Sequence, residues 1–157
     1  MSSLRVLVVE DEPLARDYAV AVMTRAGILV DTAASVAGGS DDAFDAILLD
    51  LQLDDTKGLA TLEAARRKWP DSAVVVYTGL DDPMIMKCDA DGLIVKGDSV
   101  ADSMVRTMRL SIQRKAERAQ VLETVQRLRT DVQSLDAVTA RMQATLTVMN
   151  AGLLIDG

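Results

Sequence analysis

At 157 residues the chain has room for one domain and an extension, and its 49% apolar content suffices for a core although aromatics supply only 3%. It contains no histidine, which excludes Ser-His-Asp and Cys-His nucleophile systems and histidine-bearing zinc sites. A formal net charge of -7 argues against broad nucleic-acid binding, and the single cysteine, Cys88, excludes an internal disulfide and fits a reducing compartment. No apolar run approaches the ~18 residues needed to span a membrane. The opening Met1-Ser2-Ser3-Leu4-Arg5 lacks the apolar core of a secretory leader, so a cytoplasmic protein is expected.

Strand and helix patterns alternate through the first part of the chain. A strand is expected over 4–9, carried by Val6-Leu7-Val8-Val9. Pro13 suits the first turn of a helix running to Ala26, and Gly27 can cap its end. A second strand is predicted at 28–33. A helix near 36–43 is poorly marked, because Gly38-Gly39-Ser40 weakens it. Ile47-Leu48-Leu49 makes a third strand over 45–50. Gly58 opens a helix that ends at Trp69 before Pro70-Asp71. Val74-Val75-Val76-Tyr77 and Leu93-Ile94-Val95 supply strands at 73–78 and 92–96. Helices between such runs imply right-handed βαβ units, hence an α/β fold with a five-stranded, doubly wound parallel sheet.

From Asp98 to Ala151 no Gly or Pro occurs, and good helix formers dominate. One long helix is expected there. Val105, Met108, Ile112, Ala119 and Leu122 fit one a/d register, with Lys115 as the exception. Val125, Leu128, Val132, Leu135, Thr139, Met142, Leu146 and Met149 fit a second, and the three-residue steps around Val125 make a stammer. The simplest partner for this stripe is a second copy in a parallel coiled coil spanning 99–151. Charge divides the same way. Residues 1–98 hold 9 Lys+Arg against 18 Asp+Glu, and residues 99–157 hold 8 against 6. Gly152 is expected to end the helix, with Leu153-Leu154-Ile155 resembling the first strand of a further domain or a tail over 152–157.

The ends of the strand-like runs carry the chemistry. Glu10 and Asp11 follow the first, Asp50 the third, Thr78 the fourth and Lys96 the fifth. In open parallel sheets functional groups collect beyond the carboxyl ends of the strands, so three acids, a hydroxyl and an amine should meet. Clustered acids suit a hard divalent cation such as Mg²⁺. A lysine and a hydroxyl beside them suit phosphoryl oxygens.

This constellation resembles the receiver domain of two-component response regulators, over residue 4 to about 98. The resemblance implies that Asp50 accepts a phosphoryl group from a kinase or phosphotransfer histidine, which must lie on another molecule. It implies Mg²⁺ held by Glu10, Asp11, Asp50 and the Gln52 backbone carbonyl, with Thr78 and Lys96 contacting the phosphoryl oxygens. Gly58 follows at the family's spacing. Enzymatic turnover is not expected beyond loss of the aspartyl phosphate. The output side departs from the family pattern. The stretch between Thr78 and Lys96 is short, Leu93 replaces the switch aromatic, and Gly97 replaces the proline after the lysine.

Two other functions are weighed. One is an adaptor or phosphate sink without its own effector. The other is a haloacid-dehalogenase-type phosphatase, which would need Asp-x-Asp where this chain has Asp50-Leu51-Gln52. Asp54 and Asp55 read as solvated loop acids rather than additional metal ligands.

Overall fold

The computed structural model describes residues 3–79, 89–97 and 101–155. The elements in order are β1 (Arg5–Val9), α1 (Pro13–Arg25), β2 (Leu29–Ala33), β3 (Ala46–Leu49), α2 (Leu59–Lys68), β4 (Ala73–Thr78), β5 (Gly92–Val95) and α3 (Ala101–Ile155). All five strands lie in one parallel sheet of order β2-β1-β3-β4-β5. The α/β sheet expected from the apolar runs is therefore present, with strand limits within a residue or two of the predicted ones.

The burial of the strands explains their sequences. β3 and β4 are buried at every position, and β1 from Val6 onward, so apolar residues occupy both faces instead of alternating with polar ones. Val6, Val8, Leu48 and Val75 face one layer, where they meet Ala19 and Met23 of α1 and Met104 and Met108 of α3. Leu7, Val9, Ile47, Leu49, Val74 and Val76 face the other, with Leu62 and Ala65 of α2, Phe44 and Trp69. Helices on both faces make the sheet doubly wound. α1 opens with Pro13 at its start, and Gly27 at φ 82° follows its end, as the sequence predicts.

The helix expected at 36–43 does not form. Ser35 Oγ accepts the Gly38 N–H at 2.9 Å, and Ser40 Oγ accepts that of Asp42 at 3.0 Å. Such side-chain bonds offer the backbone an alternative to helix. The end of α2 binds three carbonyls of this segment. Trp69 Nε1 donates to Ser40 O at 2.9 Å, and Lys68 Nζ donates to Val36 O and Ala37 O. A side chain at Gly39 would run into the Trp69 ring, 2.6 Å from its nearest atom, so the indole fits only against glycine.

The chain divides into two compact units, Met1–Ala116 and Glu117–Gly157. In the first unit Met104, Met108 and Ser111 of α3 are buried, and Gly92 lets β5 approach so closely that an added methyl would collide with Ser111 Oγ. In the second unit every residue of α3 from 117 to 152 is exposed. The expected stop at Gly152 is corrected: α3 continues through it to Ile155, so Leu153-Leu154-Ile155 is helical and not a strand. A single glycine costs a helix only about 1 kcal/mol relative to alanine, too little to end a run flanked by Ala and Leu. No helix among the described residues is long and apolar enough to cross a membrane. The shortened segment after Thr78, with Cys88 in it, and the expected helix root at Ser99 fall largely outside the described residues.

Candidate phosphoacceptor site

The strand order reverses between β1 and β3, the place where open parallel sheets leave a crevice beyond the carboxyl ends of their strands. Register fills it. Val9 pairs with Leu49, and the Asp50 N–H donates to Val9 O at 3.0 Å, so Glu10 and Asp50 leave the sheet side by side. Thr78 pairs with Val95, and the Lys96 N–H donates to Thr78 O at 2.7 Å, which sets those two residues together at the neighbouring strand ends.

Glu10, Asp11 and Asp50 each offer a carboxylate oxygen within 4.8 Å of the others. Glu10 and Asp50 are buried, 1% and 5% exposed, and Asp11 is half-buried. Lys96 Nζ is shared between them, 2.9 Å from Glu10 Oε2 and 3.4 Å from Asp50 Oδ2. The closer contact is an ion pair without hydrogen-bond alignment, which leaves Glu10 Oε2 buried with no hydrogen-bond donor. The lysine head also lies 5.1 Å from the centre of the Tyr77 ring, a cation–π contact.

Backbone amides hold the acids in place. Glu10 Oε1 accepts the Glu12 N–H at 3.1 Å, Asp50 Oδ1 that of Gln52 at 3.0 Å, and Asp11 Oδ2 that of Asp54 at 2.9 Å. Gln52 also bridges antiparallel to Lys57, and the Gly58 N–H returns to Leu51 O at 2.7 Å. Gly58 has φ 65°, the left-handed region where a side chain would be strained.

Burial pushes the Glu10 carboxyl up to about 7; Lys96 opposes this and the nearby Asp50 charge adds to it. For Lys96, burial disfavours the charge, but Glu10 and Asp50 outweigh it and raise the pKa. Three crowded acids with one shared lysine leave an excess of negative charge. The donor set is all oxygen, and one buried carboxylate oxygen lacks a hydrogen-bond donor. Both features fit a hard cation of the Mg²⁺ type.

The sequence-predicted residues Glu10, Asp11, Asp50 and Lys96 thus converge. Thr78 is buried at the adjacent strand end. Gln52 is positioned by its own N–H on Asp50. Three contributors escaped sequence reasoning: the Glu12 and Asp54 amides and the Tyr77 ring. Only Tyr77 left a signal, as the one aromatic in a valine-rich strand. Asp54 and Asp55 have exposed side chains, as read, but Asp54 binds Asp11 through its backbone.

Comparisons with known proteins bear on the family and the fold. The family model described as the response regulator receiver domain matches residues 6–102. A CheY-like response regulator receiver domain protein from Methanospirillum hungatei JF-1 has a similar structure, with TM-score 0.65 and 22% identity, covering 74% of this chain and 99% of that one. The chemotaxis response regulator CheY4 of Vibrio cholerae gives 0.60 and 21%, covering 70% of this chain and 99% of that one. NtrX from Brucella abortus gives 0.66 and 22%, covering 78% of this chain but 30% of that one. At such identities these structures speak for the fold alone. A comparison with curated proteins gives no significant match. With most of its length matched by the family model, the chain belongs to the response regulator receiver domain family.

Proposed function

We propose that Asp50 is the phosphoacceptor of a cytoplasmic two-component signalling protein whose output is a parallel coiled-coil dimer formed within 99–151. The donor is a phosphohistidine of a kinase or phosphotransfer protein, since this chain contains no histidine. The observation that carries the reading is the convergence of the Glu10, Asp11 and Asp50 carboxylate oxygens within 4.8 Å, with Lys96 Nζ 3.4 Å from Asp50.

An Asp50 oxygen forms the new bond to phosphorus as the donor's P–N bond breaks, and the electron pair leaves with the imidazole. Glu10, Asp11, Asp50 and the Gln52 carbonyl would hold Mg²⁺, whose charge offsets that of the converging oxygens. Lys96 exchanges its carboxylate partners for a phosphoryl oxygen. Thr78 donates its hydroxyl to another. Water later cleaves the aspartyl phosphate and returns the site to rest.

Incubation with acetyl phosphate and Mg²⁺, read by intact-protein mass, tests the assignment. The wild type gains one phosphoryl group, and Asp50→Asn gains none. Labelling that persists in Asp50→Asn overturns it. The sink reading would require a chain that takes up the phosphoryl group and stays monomeric throughout.

A further inference from the structure

The second unit presents an apolar face with no cover inside the chain. Val125, Leu128, Val132, Leu135, Met142, Leu146 and Met149 are all exposed, from 39% at Val125 to 66% at Leu135. In heptad terms Val125, Val132, Thr139 and Leu146 take position a, and Leu128, Leu135, Met142 and Met149 take position d. Three of the four a residues are β-branched and the d residues are unbranched at Cβ. That is the pattern of two-stranded parallel coiled coils, and a second copy of this chain carries the matching stripe.

The flanking positions carry a contradiction. In a parallel pair, each g residue faces the e residue five places on in the partner. Asp131 is at g and Asp136 is at e, both exposed. No other such pair along the four heptads brings two charges together: the rest are Thr124 with Arg129, Val138 with Gln143, and Thr145 with Asn150. The symmetric dimer would hold the like-charged contact twice, on both sides of the Val132 and Leu135 layers, and like charges there oppose association.

Resting on the dimer reading above, we infer that the seam pairs in parallel with Asp131 facing the partner's Asp136, and that this repulsion keeps the dimer weak enough for the receiver to control. The repulsion lowers the affinity of an otherwise apolar seam, so that a smaller change at the first unit shifts the balance between monomer and dimer.

Sedimentation equilibrium of the full chain at low salt tests the pairing with a double-mutant cycle. Asp131→Lys and Asp136→Lys each replace repulsion by attraction, and each should tighten the dimer roughly tenfold. The double variant restores like charges and returns the affinity to about the wild-type value, which a gain in helix propensity alone would not do. High salt should shrink all the differences. In an antiparallel pair, by contrast, e positions face e positions and Arg129 meets Asp136. Weakening by Asp136→Lys with no effect of Asp131→Lys therefore overturns the inference while leaving a dimer. A monomer in every variant overturns the dimer reading as well, without touching phosphorylation of Asp50.

Discussion

The two units answer opposite physical demands. Residues up to Ala116 bury their apolar side chains against one another on both faces of a sheet, and gather three acids and one lysine at its edge. From Glu117 on, the same kinds of side chain, Val, Leu and Met, lie on the surface of a single helix. One region is stable by its own packing. The other leaves its apolar stripe uncovered within the chain, so on the dimer proposed above its stability would be linked to association. The difference separates a unit that packs on itself from one that presents an apolar face.

The sharpest way to break this contrast is Leu135→Asp. It places a charge in a central layer of the proposed seam, twice per dimer. Self-association should weaken at least about a hundredfold by sedimentation, since burying an unpaired carboxylate costs several kcal/mol. Labelling of Asp50 by acetyl phosphate should be unchanged. Loss of both together would mean that the units are not independent.

A smaller effect is expected within the first unit. Gly92→Ala sets a methyl against Ser111 Oγ, with Thr107 Cγ2 3.2 Å away. Overpacking of this kind costs about 1–3 kcal/mol, measurable as a lower urea midpoint. Ser111→Gly in the same chain should restore part of that loss, by removing the colliding atom. Equal midpoints for Gly92→Ala and wild type would show that β5 and α3 can separate freely.

The smallest effect is a pH dependence. The Glu10 carboxyl is raised in the folded state to about 7, above its ordinary value of 4.5. The native state keeps a proton that the unfolded chain releases. The contribution is fully present below the unfolded value and is lost as pH rises through 7. With chelator present, the melting temperature should drop between pH 5 and 8. Glu10→Gln should flatten the curve. The chain has no histidine, so no other side chain of ordinary pKa titrates in the middle of that window. A wild-type curve that stays level would remove the buried-carboxyl account.

Much of this was legible in the sequence because β1, β3 and β4, buried on both faces, and the shorter β5 leave apolar runs, and each of these runs ends at a candidate site residue. Glu10, Asp11, Asp50, Thr78 and Lys96 could be placed without coordinates for that reason. The segment at 34–45 was not legible. Its form depends on Trp69 and Lys68, some thirty positions away, reaching back for carbonyls. Nor could a pattern of residue types reveal that Glu12 and Asp54 act through their amides, since every residue but proline has one. At Gly152 the local rule was applied too strictly, because one glycine among helix formers is a weak stop.

Trp69 has a further use. It is the only tryptophan, and Tyr18, Tyr77 and Phe44, the remaining aromatics, also precede Ala116. The indole is buried, edge-on to Phe44 at 6.5 Å, with Lys68 Nζ 5.3 Å from its ring centre. Its emission therefore reports on the sheet unit and its 34–45 segment, while ellipticity at 222 nm is dominated by the 55 residues of α3. Emission is thus specific to the first unit, whereas ellipticity sums over both, because α3 runs from one into the other. A single sample, followed by fluorescence and circular dichroism along one concentration series, can show which of them melts first.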